Sequence, residues 1–325
     1  MVVASIFNVV KDDLQEVEQK LQNVAEVEYP LLSALFRHIL NTGGKRLRPA
    51  LVLLSAKFND YDLAKLIPLA SAVELLHTAT LVHDDLIDNA STRRGTATLN
   101  TIISGRATIL VGDYLFAQSA VFAAESNNIR VMDIFSRTLT KICDGELRNI
   151  FGSGDLDQTR HEYYRKIESK TAALFVAAAE SGAILSNAPE DEIYALSTYG
   201  YKLGVAFQIV DDILDFVGDE HKMGKPVGSD LRQGTVTLPA IYLLESRPND
   251  SELRKLLQND DADPDREKNI QSLVEMIANS TAIGSAKREA QQFVQQAKEA
   301  LSIFPDNEYR RALMELAEYV IDRSS

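Results

Sequence analysis

From Ala64 to Asn89 the chain reads AKLIPLASAVELLHTATLVHDDLIDN, an almost wholly apolar run that ends in acidic residues. Apolar side chains on every face predict a helix that is buried on all sides. At its end, Asp84 and Asp88 are four residues apart, which places them on one face with roughly 5–6 Å between their Cβ atoms. Like charges at this spacing destabilise a helix, so the pattern requires a bound cation or strong solvation.

A second helix repeats this pattern, since the apolar positions between Glu190 and Phe216 lead into Asp211, Asp212 and Asp215. A single Asp-Asp-x-x-Asp motif is typical of a solvated helix end, whereas two matched copies on apolar helices favour a site for hard cations. Carboxylate oxygens suit Mg²⁺, which usually keeps several waters and shares its coordination shell with substrate phosphates. The two motifs therefore predict a magnesium site.

The helical period recurs along most of the chain, and alternating strand-like runs are scarce. This pattern predicts an all-α protein with one helical domain over residues 1–325, and an exposed polar excursion from Arg247 to Arg266. The predicted helices are Val10–Leu21, Tyr29–Asn41, Pro49–Phe58, Ala64–Asn89, Thr108–Ala124, Arg130–Ile150, Gln158–Ser186, Glu190–Phe216, Leu238–Leu244, Lys268–Ile277, Ser285–Ser302 and Glu308–Ile321.

The composition excludes several classes of protein. The 325 residues carry 34 Lys and Arg against 47 Asp and Glu, a net charge of −13, so the chain lacks the basic footprint of a nucleic-acid-binding protein. A single cysteine, Cys143, excludes an intrachain disulfide and a cysteine-based zinc site. No apolar run reaches the roughly 18 residues that a membrane-spanning helix needs. The first apolar residues have no basic residue before them and are followed by acidic Asp12 and Asp13, which makes them a poor secretion signal. We therefore expect a cytoplasmic protein without a transmembrane segment.

Basic residues gather in loops at helix ends, some of them close in sequence to the acidic motifs. A diphosphate needs this combination, because metal ions bind some of its oxygens and cationic side chains bind the others. The loop cations are Lys45, Arg46, Arg48, Arg93, Arg94, Lys222 and Lys225, and Lys170-Thr171 opens another apolar stretch.

Two other stretches resemble known motifs, a P-loop and a di-iron site, but each lacks a required element. The stretch Gly218–Lys225 has five residues between its glycines where a P-loop has four, and Pro226 replaces the metal-binding Ser or Thr. Glu74-x-x-His77 matches half of a di-iron site, which needs a second such unit that this sequence does not contain.

Taken together, these motifs resemble the all-trans polyprenyl diphosphate synthases, over nearly the whole chain. The sequence looks most similar to the long-chain branch, such as the solanesyl diphosphate synthases. The stretches that carry the resemblance are Gly43–Pro49, His77–Arg94, Lys170-Thr171, Gln208–Asp215, Gly224–Asp230 and Gly234–Pro239.

The resemblance implies a bundle of antiparallel helices around a deep central cavity, the isoprenoid synthase fold, and a homodimer. It implies about three Mg²⁺ ions per active site, replaceable by Mn²⁺, with Asp84, Asp88 and Asp211 as metal ligands. It assigns catalysis to Asp84, Asp85, Asp88, Asp211, Asp212, Asp215, Lys170 and Lys225. It assigns the allylic diphosphate to Arg93, Lys170, Thr171, Gln208 and Lys225, and isopentenyl diphosphate to Lys45, Arg48, His77 and Arg94.

The implied reaction condenses an allylic prenyl diphosphate, farnesyl or geranylgeranyl, with successive isopentenyl diphosphates. Metal ions and cationic side chains stabilise the leaving diphosphate, and the allylic carbocation is attacked by the double bond held beside it. Loss of a proton, to the departing diphosphate, leaves a chain five carbons longer. The expected product is a long all-trans polyprenyl diphosphate such as solanesyl diphosphate, a quinone side-chain precursor that is delivered to the membrane.

The length of the product is predicted from the residues that precede Asp84. Ala79 and Thr80 lie about one helical turn before the metal site, where a bulky ring would form a floor for the growing chain. Both are small, and Leu76 below them is only medium-sized, so we expect a long product. The alternative for Ala79 and Thr80 is close helix packing.

Three alternative functions remain. The first is a shorter-chain, geranylgeranyl diphosphate synthase. The second is a terpene cyclase, which Asp211-Asp212-x-x-Asp215 and the Lys45/Arg48 pair argue against. The third is a helical scaffold without enzymatic activity, which would consume no prenyl diphosphate even with Mg²⁺ present.

Overall fold

The computed structural model describes residues 6–151, 159–219, 226–257 and 264–323, and these residues confirm the all-α prediction. The α-helices are α1 (Lys11–Asn23), α2 (Pro30–Leu40), α3 (Leu47–Ala56), α4 (Leu63–Ile87), α5 (Leu99–Ile102), α6 (Gly105–Glu125), α7 (Ile129–Phe151), α8 (Arg160–Ile167), α9 (Ala173–Leu185), α10 (Glu190–Val217), α11 (Ser229–Arg232), α12 (Leu238–Ser246), α13 (Ser251–Leu257), α14 (Arg266–Ala278), α15 (Thr281–Ala300) and α16 (Glu308–Asp322). Short 3₁₀ turns cover Asn8–Val10 and Leu301–Ile303, and one π turn covers Glu168–Ala172.

Helix α4 is the long buried helix that the sequence predicts. Asp62 caps its start by accepting a hydrogen bond from the Ala64 amide at 3.1 Å. Leu66, Leu69 and Leu75 are almost completely buried, and Leu75 lies on the face opposite Leu66, as an all-round apolar pattern requires. The helix therefore carries its acidic end, Asp84–Asp88, on a rigid core element.

A two-residue hairpin follows α4. Strands β1 (Thr92–Arg93) and β2 (Thr96–Ala97) pair antiparallel, with Arg93 opposite Thr96. The turn residues Arg94 and Gly95 both have positive φ, 51° and 76°, the backbone that a tight hairpin requires. The hairpin fixes where Arg93 and Arg94 leave the backbone.

Two sequence predictions need correction. The helix predicted over Gln158–Ser186 is divided among its described residues into α8, the π turn and α9, because one extra residue per turn is inserted at Glu168–Ala172. The excursion predicted over Arg247–Arg266 contains α13, where Leu253 and Leu257 are buried one turn apart.

The chain folds into two compact units. Unit 1 comprises the described residues of Met1–Leu139, Leu174–Tyr201 and Ala297–Tyr319, and unit 2 those of Thr140–Ala173, Lys202–Gln296 and Val320–Ser325. The expectation of a single domain stays a prediction.

Two described helices are long and apolar enough to cross a membrane by length and composition, α4 and α6. The apolar window of α4 is 72% buried within the chain, as in a core helix, whereas that of α6 is only 39% buried. Helix α6 therefore leaves an apolar face uncovered, on which Leu110 and Val121 are 68% and 53% exposed.

Candidate active site

The first acidic motif divides its three carboxylates between different environments. Asp88 is exposed and caps α4, with its amide bound to the Asp84 carbonyl at 2.8 Å. Asp84 is half-buried, whereas Asp85 is buried and accepts a hydrogen bond from Arg93 Nε at 2.7 Å. Burial raises the pKa of the Asp85 carboxyl, against the opposing charge of Arg93. Asp84 and Asp88 are thus the accessible pair that the spacing predicts.

His83 fixes this end of α4 against α6. Its Nε2 lies 3.2 Å from the Ile109 carbonyl, and its ring packs against Phe116. A Cβ on Gly112 would lie 2.2 Å from His83 Nε2, so only glycine leaves room for the imidazole. The close approach of the two helices holds the residue next to Asp84 in place.

A cationic pocket lies beside Asp85 in unit 1. It encloses about 600 Å³ of empty space, part of it open to solvent, and its polar lining includes Arg46, Glu74, His77, Arg93 and Arg94. The loop before α3, helix α4 and the hairpin each contribute to this lining. Three of the predicted substrate-binding residues, His77, Arg93 and Arg94, therefore meet in one place.

Arg46 and Glu74 form an ion pair in the lining of this pocket. Arg46 Nη1 lies 2.8 Å from Glu74 Oε1, and its Nε lies 2.9 Å from Glu18 Oε2. A Cβ on Gly44 would lie 3.1 Å from Arg94 Nη1, so glycine allows the Arg94 guanidinium to approach the backbone. Arg46 and Arg94 are both non-glycine residues with positive φ, 49° and 51°, a strain that recurs at functional sites.

The environment of His77 favours the neutral form of its imidazole. Burial, followed by the charges of Arg48, Arg94, Arg93 and Arg46, holds the pKa of His77 well below its ordinary value. A neutral imidazole offers one N–H donor and adds no charge to a crowded cationic site.

Lys45 and Arg48 occupy other positions near the start of α3. Lys45 is exposed, with Nζ 5.4 Å from the Tyr319 ring centroid. Arg48 is buried, with Cζ 4.6 Å from the Phe175 ring centroid. Neither belongs to the lining of the pocket described above.

In the second acidic motif, the three carboxylates again differ. Asp211 keeps 52% of its side chain exposed and accepts a hydrogen bond from Arg323 at 3.2 Å. Arg323 is itself held by the Phe207 carbonyl at 2.6 Å, so it is a fixed partner of Asp211. Asp215 is buried, and its Oδ2 accepts the Asp230 amide at 3.1 Å, which anchors the start of α11. Asp211 is therefore the accessible acid of this motif.

Asp212 is the centre of a hydrogen-bond chain in unit 2. Tyr163 donates to Asp212 Oδ2 at 2.6 Å and Gln208 donates to Oδ1 at 2.8 Å, while Thr171 donates to Gln208 Oε1 at 2.6 Å. Burial and the charge of Asp230 raise the pKa of Asp212, and the bonds from Tyr163 and Gln208 oppose that rise. This chain joins two predicted allylic-site residues, Thr171 and Gln208.

The remaining predicted residues are placed as follows. Lys170 lies in the π turn, and its Nζ is 2.9 Å from Glu146 Oε1. Leu76 and Ala79 are fully buried on α4, whereas Thr80 is half-buried. Lys225 and Lys222 lie outside the described residues.

The accessible acids fit a magnesium ion in their chemistry. Asp84, Asp88 and Asp211 offer carboxylate oxygens, the ligands that Mg²⁺ prefers. Within the described part of the chain, no three or more His, Cys, Asp or Glu side chains cluster closely enough to hold a metal by themselves. In general, Mg²⁺ takes one or two carboxylates from a protein and its other ligands from water and substrate phosphates.

Three residues that contact the candidate site were not predicted from the sequence as site residues, namely Glu74, Tyr163 and Arg323. The spacing of Glu74 and His77 places them on one face of α4, and this signal indicates the pocket, not a di-iron site. Tyr163 and Arg323 contact acids 49 and 112 residues away, so no local pattern could indicate them.

Known proteins resemble this chain in both sequence and structure. A polyprenyl synthetase family model matches residues 29–277. The chain is 38% identical over 320 residues to heptaprenyl diphosphate synthase component 2 of Geobacillus stearothermophilus, covering 98% of each. It is 34% identical over 328 residues to the chloroplastic solanesyl-diphosphate synthase 2 of Oryza sativa subsp. japonica, covering 99% of this chain and 80% of that protein.

A solved structure shows the same fold. The polyprenyl synthase of Caulobacter crescentus CB15, complexed with calcium and isoprenyl diphosphate, has a TM-score of 0.93 and 33% identity, covering 99% of this chain and 98% of that chain. Both the sequence match and the fold extend over nearly the full length. The chain therefore belongs to the polyprenyl synthetase family and is a prenyltransferase.

Proposed function

We propose that this prenyltransferase condenses an allylic prenyl diphosphate with successive isopentenyl diphosphates to give a long-chain all-trans polyprenyl diphosphate. The observation that carries the proposal is the pocket in which Arg46, His77, Arg93 and Arg94 meet beside Asp85. Three guanidinium groups and one imidazole around a single space suit an anion with several oxygens, and a diphosphate is such an anion.

Isopentenyl diphosphate is the substrate proposed for His77, Arg94, Lys45 and Arg48. Arg94 offers a guanidinium whose approach Gly44 permits, and neutral His77 offers an N–H donor. A guanidinium matches a phosphate edge with two parallel hydrogen bonds, which fixes the orientation of the substrate as well as its affinity. Orientation matters because the attacking double bond must meet the allylic carbon at close range.

The allylic diphosphate is proposed to bind Arg93, Lys170, Thr171 and Gln208, together with Lys225, which follows α10 in the sequence. In support, Arg93 is fixed by Asp85, and Thr171 and Gln208 are fixed by their chain to Asp212. Arg93 bonds Asp85 through Nε alone and Gln208 bonds Asp212 through one of its two amide hydrogens, so both hold further donors in a fixed orientation. Donors fixed in advance need no reorganisation when the leaving group acquires charge.

Asp84, Asp88 and Asp211 are the proposed ligands of about three Mg²⁺ ions, and Mn²⁺ can replace them. The bound ions supply positive charge to the departing diphosphate. A relative's crystallisation with calcium and isoprenyl diphosphate supports a divalent cation here. Asp85, Asp212 and Asp215 are proposed to orient neighbouring groups, since each is buried and hydrogen-bonded within the protein.

The uncovered apolar face of α6 supports a homodimer, with a second copy of this chain as its occupant. Leu110 and Val121 are exposed on this face although α6 is apolar enough for a core helix. Sedimentation of the purified chain should give twice its monomer mass of 36.0 kDa, and Leu110→Asp should give monomers. A monomer that dimerises only with a second gene product would instead fit the "component 2" name of the Geobacillus stearothermophilus relative.

The product proposed is solanesyl diphosphate, a quinone side-chain precursor made in the cytoplasm and delivered to the membrane. Small Ala79 and Thr80 one turn before Asp84 support a long chain, and so do relatives that are named for heptaprenyl and solanesyl products. Geranylgeranyl diphosphate as the final product would contradict this assignment and identify a shorter-chain synthase.

The test is an incubation of the full chain with radiolabelled isopentenyl diphosphate and, in separate reactions, farnesyl or geranylgeranyl diphosphate. With Mg²⁺ we expect labelled polyprenyl products that reverse-phase chromatography separates by length, and in excess EDTA none. Cyclic hydrocarbons without uptake of label would identify a terpene cyclase. No consumption of either substrate would identify a scaffold and contradict the proposal.

A further inference from the structure

Tyr163 lies in the core of unit 2, with its hydroxyl on a carboxylate that belongs to the second acidic motif. Its side chain is 1% exposed, and the hydroxyl is 2.6 Å from Asp212 Oδ2. The helix that carries it, α8, begins with a complete capping box of Thr159 and Glu162, so the position of Tyr163 is set by a well-defined helix start.

The hydrogen bonds around Asp212 run in one direction. Tyr163 and Gln208 both donate to Asp212, and their bonds favour its ionised form, whose oxygens only accept. This places the amide nitrogen of Gln208 against Asp212 and its amide oxygen towards Thr171, whose hydroxyl donates to it at 2.6 Å. Asp212 therefore fixes the orientation of Gln208, and through it that of Thr171. The hydrogen bond from Tyr163 in turn helps to fix the orientation of Asp212.

The π turn Glu168–Ala172 gives this chain a second connection. It carries Lys170 and Thr171, and it follows α8 directly. Tyr163 before the turn and Thr171 within it are both tied to α10 through Asp212 and Gln208. Single π turns inside helices are frequent at functional sites, and this one is linked to α10 through Thr171.

We propose that Tyr163 is a positioning residue for the allylic diphosphate, which it serves by holding Asp212 so that Gln208 and Thr171 keep their orientation. The inference rests on the proposed function, because Gln208 and Thr171 are assigned to that substrate there.

The neighbouring Tyr164 provides a matched control. Its hydroxyl also donates to a carboxylate, that of Glu289, which Tyr242 contacts as well. Neither Glu289 nor Tyr242 is among the proposed substrate-binding residues. Tyr163→Phe and Tyr164→Phe therefore remove the same atom from adjacent residues, and only the first removal reaches the proposed site.

The experiment measures steady-state kinetics of both variants with farnesyl and isopentenyl diphosphates. We expect Tyr163→Phe to raise KM for the allylic substrate roughly tenfold, a change of about 1.4 kcal/mol, which is comparable to the contribution of one hydrogen bond to a charged group. KM for isopentenyl diphosphate should stay within about twofold, and Tyr164→Phe should leave both constants near those of the wild type. Asp212→Asn should raise the allylic KM, and adding Tyr163→Phe to it should have little further effect, since both act through one carboxylate.

Four outcomes would overturn the inference: an unchanged allylic KM in Tyr163→Phe, an equal rise in Tyr164→Phe, a rise confined to isopentenyl diphosphate, or full additivity in the double variant. If Tyr163→Phe does not fold, Asp212→Asn decides, since an unchanged allylic KM there would show that the chain positions nothing. An inactive wild type would contradict the proposed function itself, whereas an active wild type with indifferent variants would contradict only the role of Tyr163.

Discussion

Asp85 accepts a hydrogen bond from Arg93 Nε at 2.7 Å, and it is buried while Asp84 and Asp88 on either side of it keep accessible surface. Asp212, the second acid of the other motif, is likewise buried and accepts a hydrogen bond from Gln208. In both motifs, then, the middle carboxylate holds a side chain that is proposed to bind the allylic diphosphate. The Asp-Asp-x-x-Asp pattern thus contains two kinds of acid, distinguished by burial.

This division predicts different consequences for neighbouring acids. Asp84→Ala and Asp211→Ala should each lower kcat roughly a hundredfold or more, because a metal ligand at the leaving group is lost. Asp85→Asn should keep its Mg²⁺ dependence and mainly raise KM for the allylic substrate, because Arg93 loses a charged partner. Mg²⁺ titrations of activity would measure both effects. Full turnover by folded Asp84→Ala, or by the wild type in excess EDTA, would contradict the metal assignment.

The two diphosphates should depend on separable sets of cations. Lys45→Ala and Arg48→Ala should raise KM for isopentenyl diphosphate, whereas Lys170→Ala should raise KM for the allylic primer, each by roughly tenfold. Lys65→Ala is the control, since Lys65 is paired with Asp62 on the exposed first turn of α4. Steady-state kinetics with one substrate varied at a time would decide. An effect of Lys45→Ala on the primer alone would make the assignment wrong.

Close packing around His83 should make Gly112 intolerant of any side chain. The added methyl of Gly112→Ala would overlap the imidazole, since its Cβ position is 2.2 Å from Nε2, and overpacking of this kind costs about 1–3 kcal/mol of unfolding free energy. Gly284→Ala in α15 is the opposite case. The nearest atom to its added Cβ is 3.6 Å away, so better helix propensity should stabilise by about 0.5–1 kcal/mol. Urea unfolding of both variants checks the sign, and a neutral Gly112→Ala would contradict the packing argument.

Because of His77, the free energy of unfolding should fall as the pH is lowered below about 6.5. Its folded pKa is held well below the unfolded value of about 6.5, so its contribution to stability is present above that pH. Below it, the unfolded chain takes up a proton that the folded chain does not, and up to about 1.4 kcal/mol is lost per pH unit until the folded pKa is reached. As the pH is lowered from 7.5 to 5.5, the free energy of unfolding should therefore fall further in the wild type than in His77→Gln. Parallel curves for the two proteins would show that His77 titrates normally.

Periodicity and spacing predicted what depends on local sequence. The helix at Ala64–Asn89 was predicted to within two residues, because a continuous apolar run leaves the chain few alternatives. The accessible pair Asp84 and Asp88 also followed from their spacing. The division of the acids by burial did not, since it depends on Arg93 of the hairpin and on Tyr163, 49 residues before Asp212.

Other features could not be derived because their signals are weak or non-local. The π turn inserts one residue, but the helix that follows, α9, is apolar on nearly all its faces, so the shift in phase leaves no signal and Gln158–Ser186 looks like a single helix. Helix α13 has only two buried leucines in seven residues, too few for a periodic signal within a polar segment. The pairing of Arg323 with Asp211 joins the end of the chain to α10 and requires the tertiary fold.

Product length should respond to the side chains one turn before Asp84. Ala79→Phe places a ring where we propose that the growing chain passes, so products should shorten to roughly fifteen or twenty carbons while the first condensation survives, since one turn of α4 spans about one isoprene unit. Ala79 is fully buried whereas Thr80 keeps accessible surface, so Thr80→Phe should shorten products with less disturbance of packing. Lys65→Phe adds the same ring to an exposed turn of the same helix, and its products should stay long. Reverse-phase chromatography of the hydrolysed products measures all three. Long products from folded Ala79→Phe and Thr80→Phe would place the growing chain away from this face of α4 and leave close helix packing as the reason for its small residues.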